Sequence, residues 1–127
     1  MLFIGICGAS GSGKTTLAEE LVHAIGASSA MLKQDAYYFD HPDLTFAQRA
    51  ALNYDEPQIF DHDLLLSDVK SLLAGKAITR KGYDFTQHAR SDSDELLFPG
   101  DVLILEGIHA FYDARLRDLM YLKLFIN

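Results

Sequence analysis

The residues that say most about chemistry are Gly8-Ala9-Ser10-Gly11-Ser12-Gly13-Lys14-Thr15, a full match to the pattern G-x-x-x-x-G-K-[ST]. Glycines at these spacings let backbone N–H groups turn inward around a polyphosphate. A helix starting at the lysine adds partial positive charge at the same place. In that arrangement Lys14 reaches the outer phosphates, the Thr15 hydroxyl ligates Mg²⁺, and the phosphate-binding stretch runs on through Thr16. A Gly/Ser turn that only joins two elements would not need a Lys-Thr pair in register. Two carboxylates, Asp35 and Glu106, each stand at the end of an apolar run. Phosphoryl transfer needs held phosphates, a metal to neutralise developing charge, and a carboxylate to orient or deprotonate the nucleophile. Glu106 suits the second Mg²⁺ anchor, directly or through water. Asp35, beside the same metal, is then available to act on an acceptor hydroxyl. Read singly, each acid is an ordinary cap or turn residue; beside a phosphate loop the functional reading leads.

These residues need a scaffold, and the hydrophobic pattern supplies one. Leu2–Cys7 is an apolar run that reads as a strand, and Leu17, Leu21 and Ile25 share one face of a helix from Lys14 to Ile25, with Gly26 as its stop. A second strand is expected at Ala30–Gln34. Thr45-Phe46-Ala47-Gln48 fits a capping box opening a short helix that reaches about Leu52. Residues 53–61 read as an ordered loop around Pro57. Leu65, Val69, Leu72 and Leu73 then define a second clear helix, capped by Asp61 or Asp63 and ended at Gly75. Residues 77–98 have a different character: short apolar pieces at 77–79, 83–85 and 95–98 with charges between them, as in a β-ribbon or small subdomain. Val102–Leu105 is a continuous apolar run, as in a strand buried on both faces. Asp113 can cap a helix carrying Leu116, Leu119 and Met120, and Leu122–Ile126 is a last strand. Strand–helix alternation of this kind predicts an α/β fold: a parallel sheet with right-handed crossovers. In such a sheet ligands bind beyond the carboxyl ends of the strands, where the phosphate loop, Asp35 and Glu106 are all expected.

Composition limits the alternatives. A chain of 127 residues fits one domain, 1–127, and its 49% apolar content excludes disorder. The formal charge of −7 argues against nucleic acid or an anionic membrane as partner. Cys7 is the only cysteine, so no disulfide framework exists, and it reads as a small core residue. The first apolar run lacks a basic lead and breaks at Gly8, unlike a signal peptide or membrane span, so a cytoplasmic protein is expected. Aromatic and polar loop residues remain: Tyr37-Tyr38, Asn53-Tyr54-Asp55, Tyr83-Asp84-Phe85 and His88. Such side chains can stack on a base or hydrogen-bond a ribose, and they equally often cover core edges.

Taken together, Gly8–Thr16, Lys33-Gln34-Asp35-Ala36-Tyr37-Tyr38, Asn53-Tyr54-Asp55-Glu56-Pro57 with Phe60-Asp61, Tyr83-Asp84-Phe85 with His88 and Arg90, Glu106-Gly107-Ile108, Arg115-Leu116-Arg117-Asp118-Leu119 and Lys123-Leu124-Phe125 resemble the uridine kinases, bacterial type most of all. The phosphate loop alone is shared widely; this ordered set is far more specific. The resemblance implies a P-loop kinase fold with a small β-ribbon insertion at 77–98. It also implies transfer of a phosphoryl group from ATP or GTP, with Mg²⁺, to the 5′-hydroxyl of uridine or cytidine. By resemblance Asp35 is the base, Thr15 and Glu106 serve Mg²⁺, Asp55 holds the ribose hydroxyls, and Tyr38, Tyr83, Phe85 and His88 surround the nucleoside. A homo-oligomer, tetrameric in the family, is implied as well.

Two departures stand out. Lys81-Gly82 replaces a proline and a small apolar residue before Tyr83. The family also continues beyond the last strand with an arginine-rich lid, so a chain ending at Asn127 is expected to lack it and to expose apolar surface there. Rival readings are a related kinase, acting on nicotinamide riboside or ribulose 5-phosphate, and a non-catalytic nucleotide binder or one half of a split kinase.

Overall fold

The computed structural model describes every residue except 10, 27, 40–42, 54–55 and 85–88, and for 80–84 and 89–95 the backbone alone. Four parallel strands form the main sheet: β1 (Leu2–Gly8), β2 (Ser29–Lys33), β5 (Val102–Gly107) and β6 (Leu122–Ile126), in the order β2-β5-β1-β6. β5 therefore lies between β1 and β2, with Leu2 opposite Val102 on one side and Ser29 opposite Val102 on the other. This position explains the unbroken apolar run of β5, since Leu103, Ile104 and Leu105 are all fully buried.

The period-2 alternation of the strands divides the core between two faces. Ile6 and Ile104 face α1 (Lys14–Ile25), where Ala18 is buried and Leu17, Leu21 and Val22 pack around it. Phe3, Leu103 and Leu105 face the other way, against Leu65, Val69 and Leu72 of α3 (His62–Leu73) and Leu116 of α4 (Ala114–Arg117). Cys7 is buried on this second face, as its reading as a core residue expected.

The helices start where the side chains say they should. Thr45 and Gln48 form a reciprocal capping box on α2 (Phe46–Ala50). Asp61 accepts from the Leu64 N–H at 3.0 Å to cap α3, and Asp113 caps α4 through the Arg115 N–H at 2.9 Å. After α3, Gly75 turns with φ +82°, and the Lys76 N–H returns to Ser71 O at 2.9 Å.

Several details differ from the sequence reading, among them α4, which ends at Arg117 and leaves Leu119 and Met120 outside the helix. β2 stops at Lys33, and Gln34–Tyr37 forms a 3₁₀ turn, so Asp35 sits inside a turn and not at the strand tip. The loop at 53–61 holds a second 3₁₀ turn at Pro57–Ile59. The stretch 77–98 is one antiparallel hairpin of two long strands, β3 (Ile78–Asp84) and β4 (Ala89–Leu97), in place of three short pieces. Its register shifts between Lys81 and Tyr83. Among the described residues β6 pairs with β1 alone, and it exposes Leu122 and Phe125. Among the described residues no helix is long and apolar enough to cross a membrane.

Candidate active site

The site is built where β1, β5 and β2 end side by side, with Ile6 and Lys33 both in register with Glu106. From β1 the chain enters the phosphate loop, where Gly11 and Gly13 take φ of +77° and +93°. A side chain is strained at such angles, and this is the physical reason for glycine at both positions. Gly8 is glycine for another reason: a Cβ there would lie 2.7 Å from Ser12 Oγ and 2.9 Å from Ile126 O. Ser10 lies outside the described residues.

Helix α1 opens on Gly13, which offers no side-chain cap. Helices α2, α3 and α4 each receive one. The first intrahelical bond of α1 runs from the Leu17 N–H to Gly13 O at 2.9 Å, so the N–H groups of Lys14, Thr15 and Thr16 come before the ladder begins. Beside them is a cavity of about 250 Å³ lined by Gly11, Gly13, Lys14, Thr15 and Thr16. Lys14 is only 8% exposed, with its Nζ 3.5 Å from Ala9 O. An uncapped helix start, a nearly buried ammonium and an adjoining cavity make a site for a phosphate-bearing anion. A larger cavity of about 470 Å³ runs along α3 past Asp63, Lys70, Lys76 and Arg115. It shares no residue with this loop, and its arginine is already paired with Asp63 and Asp113 at 2.8 Å each.

Thr15 Oγ1 donates to Glu106 Oε2 at 3.3 Å, joining α1 to β5. Glu106 is 2% exposed. Burial pushes its carboxyl above the ordinary value and the charge of Asp35 adds to this, while Lys14, the Thr15 hydrogen bond and Lys33 pull it back. Asp35 is raised as well, by burial first, against Lys14 and Lys33. Two carboxylates and two ammonium groups therefore share one field at the mouth of the phosphate loop. The hydroxyl–carboxylate pair suits a hard cation such as Mg²⁺. No group of three or more His, Cys, Asp or Glu that could cage a metal occurs among the described residues, and Mg²⁺ usually draws its remaining ligands from phosphates and water.

The turn that carries Asp35 is held at both ends. Gln34, fully buried, accepts the His109 N–H on its Oε1 at 2.9 Å. Tyr37, 1% exposed, donates its hydroxyl to Asp68 Oδ2 on α3 at 2.7 Å. Tyr38 is buried, and its ring stacks on Phe60 with centroids 4.6 Å apart. Around this pair stand His62, His109 and Tyr112; the His62 and Tyr112 rings stack at 5.2 Å, and Phe60 meets His109 edge-on at 6.1 Å. His62 Nε2 donates to Pro57 O at 2.7 Å.

Of the sequence-expected residues, the structure brings Lys14, Thr15, Asp35 and Glu106 to one place. Tyr38 lies on the turn after Asp35, buried in its stack. Tyr83 is described in backbone only, on β3 opposite Arg90. Asp55, Phe85 and His88 lie outside the described residues. Gln34, Phe60, His62, His109 and Tyr112 are new as parts of this region. Their assembly depends on segments far apart in sequence; the available signal was the polar Gln34 inside a strand-end pattern.

Comparison with known proteins agrees with this geometry. The family model described as "Phosphoribulokinase / Uridine kinase family" matches residues 3–127. A uridine kinase of Halalkalibacterium halodurans is 46% identical over 127 residues, covering 99% of this chain and 60% of that protein. A uridine kinase of Leuconostoc citreum is 43% identical over 129 residues, covering 99% of this chain and 61% of that protein. The chain thus spans about 60% of the length of these curated relatives. Among solved structures, one titled a possible uridine kinase from Bacillus stearothermophilus superposes with a TM-score of 0.73 at 22% identity, over 98% of this chain and 69% of that one. At that identity the likeness speaks for the fold.

Proposed function

We propose, from the premise that this chain belongs to the phosphoribulokinase/uridine kinase family, that it serves ATP-dependent phosphorylation of uridine or cytidine at the 5′-hydroxyl, giving UMP or CMP. The observation that carries the reading is the convergence of Lys14, the Thr15–Glu106 hydrogen bond and Asp35 at the uncapped start of α1. The pyrimidine acceptor is supported by the relatives at 43% and 46% identity, both named uridine kinase.

In this reading the stretch 8–16 holds the phosphates of ATP or GTP, with Lys14 on the outer ones. Thr15 and Glu106, with Asp35 close by, hold Mg²⁺. Bound there, the ion supplies neutralisation of charge developing on the transferring phosphoryl group. Asp35 accepts the proton of the 5′-hydroxyl as the oxygen forms its bond to the γ-phosphorus; the bond from that phosphorus to the β,γ-bridging oxygen breaks, and the nucleoside diphosphate leaves. Burial favours this assignment, because a carboxylate with a raised pKa is a better-matched base near neutral pH. Tyr38 walls the pocket from its stack on Phe60, and Asp55, Tyr83, Phe85 and His88 complete the nucleoside site. We place residues 1–127 in one kinase domain acting in the cytoplasm as a homo-oligomer.

The test is transfer of labelled γ-phosphate from Mg-ATP to uridine, with ribulose 5-phosphate and nicotinamide riboside as control acceptors. Turnover confined to the pyrimidine nucleosides supports the reading, and turnover with either control acceptor instead replaces it with a related kinase. Tyr83→Ala and His88→Ala are expected to weaken nucleoside affinity more than ATP affinity; the opposite pattern removes both from the nucleoside pocket.

A further inference from the structure

Gln34 is an amide in a place that packing alone would give to a hydrocarbon. It is fully buried, at the first position of the 3₁₀ turn, directly before Asp35. A buried amide is costly unless both arms are hydrogen-bonded. Only one arm has a partner among the described residues: Oε1 accepts the His109 N–H at 2.9 Å, while Nε2 is buried without one. The bonded arm spans 75 residues, from the end of β2 to the loop after β5.

Gly107 shows how closely the amide lies on the neighbouring strand. Its φ is not positive, so no backbone conformation calls for glycine there. A Cβ at 107 would instead run into Gln34 Oε1 and Cβ, and would come within 3.0 Å of Cδ. The side chain of Gln34 thus fills the space that a side chain at 107 would occupy, immediately after Glu106. With Tyr37 tied to Asp68 at 2.7 Å, the turn is clamped on both sides of Asp35.

We infer that Gln34 is a positioning residue, whose amide, seated on Gly107 and bonded to the His109 N–H, sets Asp35 against Glu106 for metal-assisted nucleotide binding. The inference rests on the kinase reading for its purpose. Its test does not, because it reads ATP affinity with and without Mg²⁺ and needs no acceptor.

The full chain is titrated with ATP by calorimetry in Mg²⁺ and in EDTA. Gln34→Met keeps the length and removes the acceptor oxygen; it is expected to cut the Mg²⁺-induced gain in ATP affinity at least fivefold, leaving the metal-free affinity within twofold. Gly107→Ala, whose methyl takes the place of the amide, should act in the same direction, and it carries the test if Gln34→Met does not melt cooperatively. Gln34→Ala is measured alone and combined with Gly107→Ala; the pair should lose no more than the worse of these two single variants, since both disable one contact. A full Mg²⁺ gain in a folded variant overturns the inference, as do losses that simply add, or a wild-type chain whose ATP affinity ignores Mg²⁺. A wild-type chain with the Mg²⁺ gain but no transfer to uridine removes the kinase reading and leaves the positioning role intact.

Discussion

Thr15 on the first turn of α1 and Glu106 near the end of β5 are 91 residues apart and share a hydrogen bond of 3.3 Å. This bond connects the element that starts the phosphate site to the strand that carries the buried carboxylate. Thr15→Ala removes the hydroxyl from both Glu106 and the proposed metal, whereas Thr15→Ser retains it. Thr15→Ala is expected to abolish most of the Mg²⁺-dependent gain in ATP affinity, and Thr15→Ser to stay within about threefold of wild type, since a ligand oxygen remains available. Calorimetric titration in Mg²⁺ and in EDTA checks both. Equal behaviour of the two variants would remove Thr15 from the metal set.

Asp35→Asn keeps the shape of the turn and removes the proposed base. Phosphate transfer to uridine should fall roughly 10²–10⁴-fold, the usual scale of general-base catalysis, with metal-free ATP affinity, read in EDTA, changed less than twofold. Parallel loss of both would show that Asp35 supports the nucleotide and is not the base.

The same carboxylates cost stability. Asp35 and Glu106 have ordinary values of 3.8 and 4.5, and burial, the largest influence on each, raises both in the folded chain. A raised folded-state value favours the protonated form, so the stability it contributes is complete below the ordinary values and is lost as pH rises through the raised ones. Neutralising either residue should therefore raise the melting temperature at pH 7, by roughly 2 °C or more for Asp35→Asn. The gain should vanish below about pH 4, where wild-type carboxyls are protonated too. Scanning calorimetry from pH 3 to pH 8 gives the answer; a variant less stable at pH 7 than wild type would contradict the sign.

Asp61 holds the start of α3 through the Leu64 N–H at 3.0 Å. Asp61→Ala should cost about 1 kcal/mol, the usual cost of losing an N-cap. Urea unfolding would show a lower midpoint at unchanged slope. An unchanged midpoint would mean that water caps the helix equally well.

How much of this could be read from the chain depends on the range of the interaction. The limits of α1 at Lys14 and Ile25 were legible because Gly13 and Gly26 take positive φ on either side, a local property of glycine. The capping box of Thr45 and Gln48 was legible for the same reason, being closed within four residues. The placing of Glu106 beside the phosphate loop followed from strand alternation and the rule for carboxyl ends of parallel sheets. Gln34 was not legible as a contact, because its partner His109 arrives from 75 residues away and no period marks it. The aromatic set of Phe60, His62, His109 and Tyr112 escaped likewise, since the start of α3 and the loop after β5 assemble it. The sequence pattern breaks the hairpin of β3 and β4 into pieces because its charged residues hide the alternation, while backbone pairing runs through them.

The place of β1 in the sheet has a consequence for how the chain is made. Both its neighbours come late: Leu2 pairs with Val102 on β5, and Ile4 with Leu122 on β6. Synthesis at about 5–20 residues per second separates the emergence of β1 from that of β5 by roughly 5–20 s. During that interval an apolar segment, Leu2 to Cys7, has left the ribosome with no strand to join. α1 can coil and α3 can form on local contacts, but the sheet must wait for its centre. Pairing of β1 thus waits for β5, and until then β1 is a segment that a nascent-chain chaperone has reason to protect.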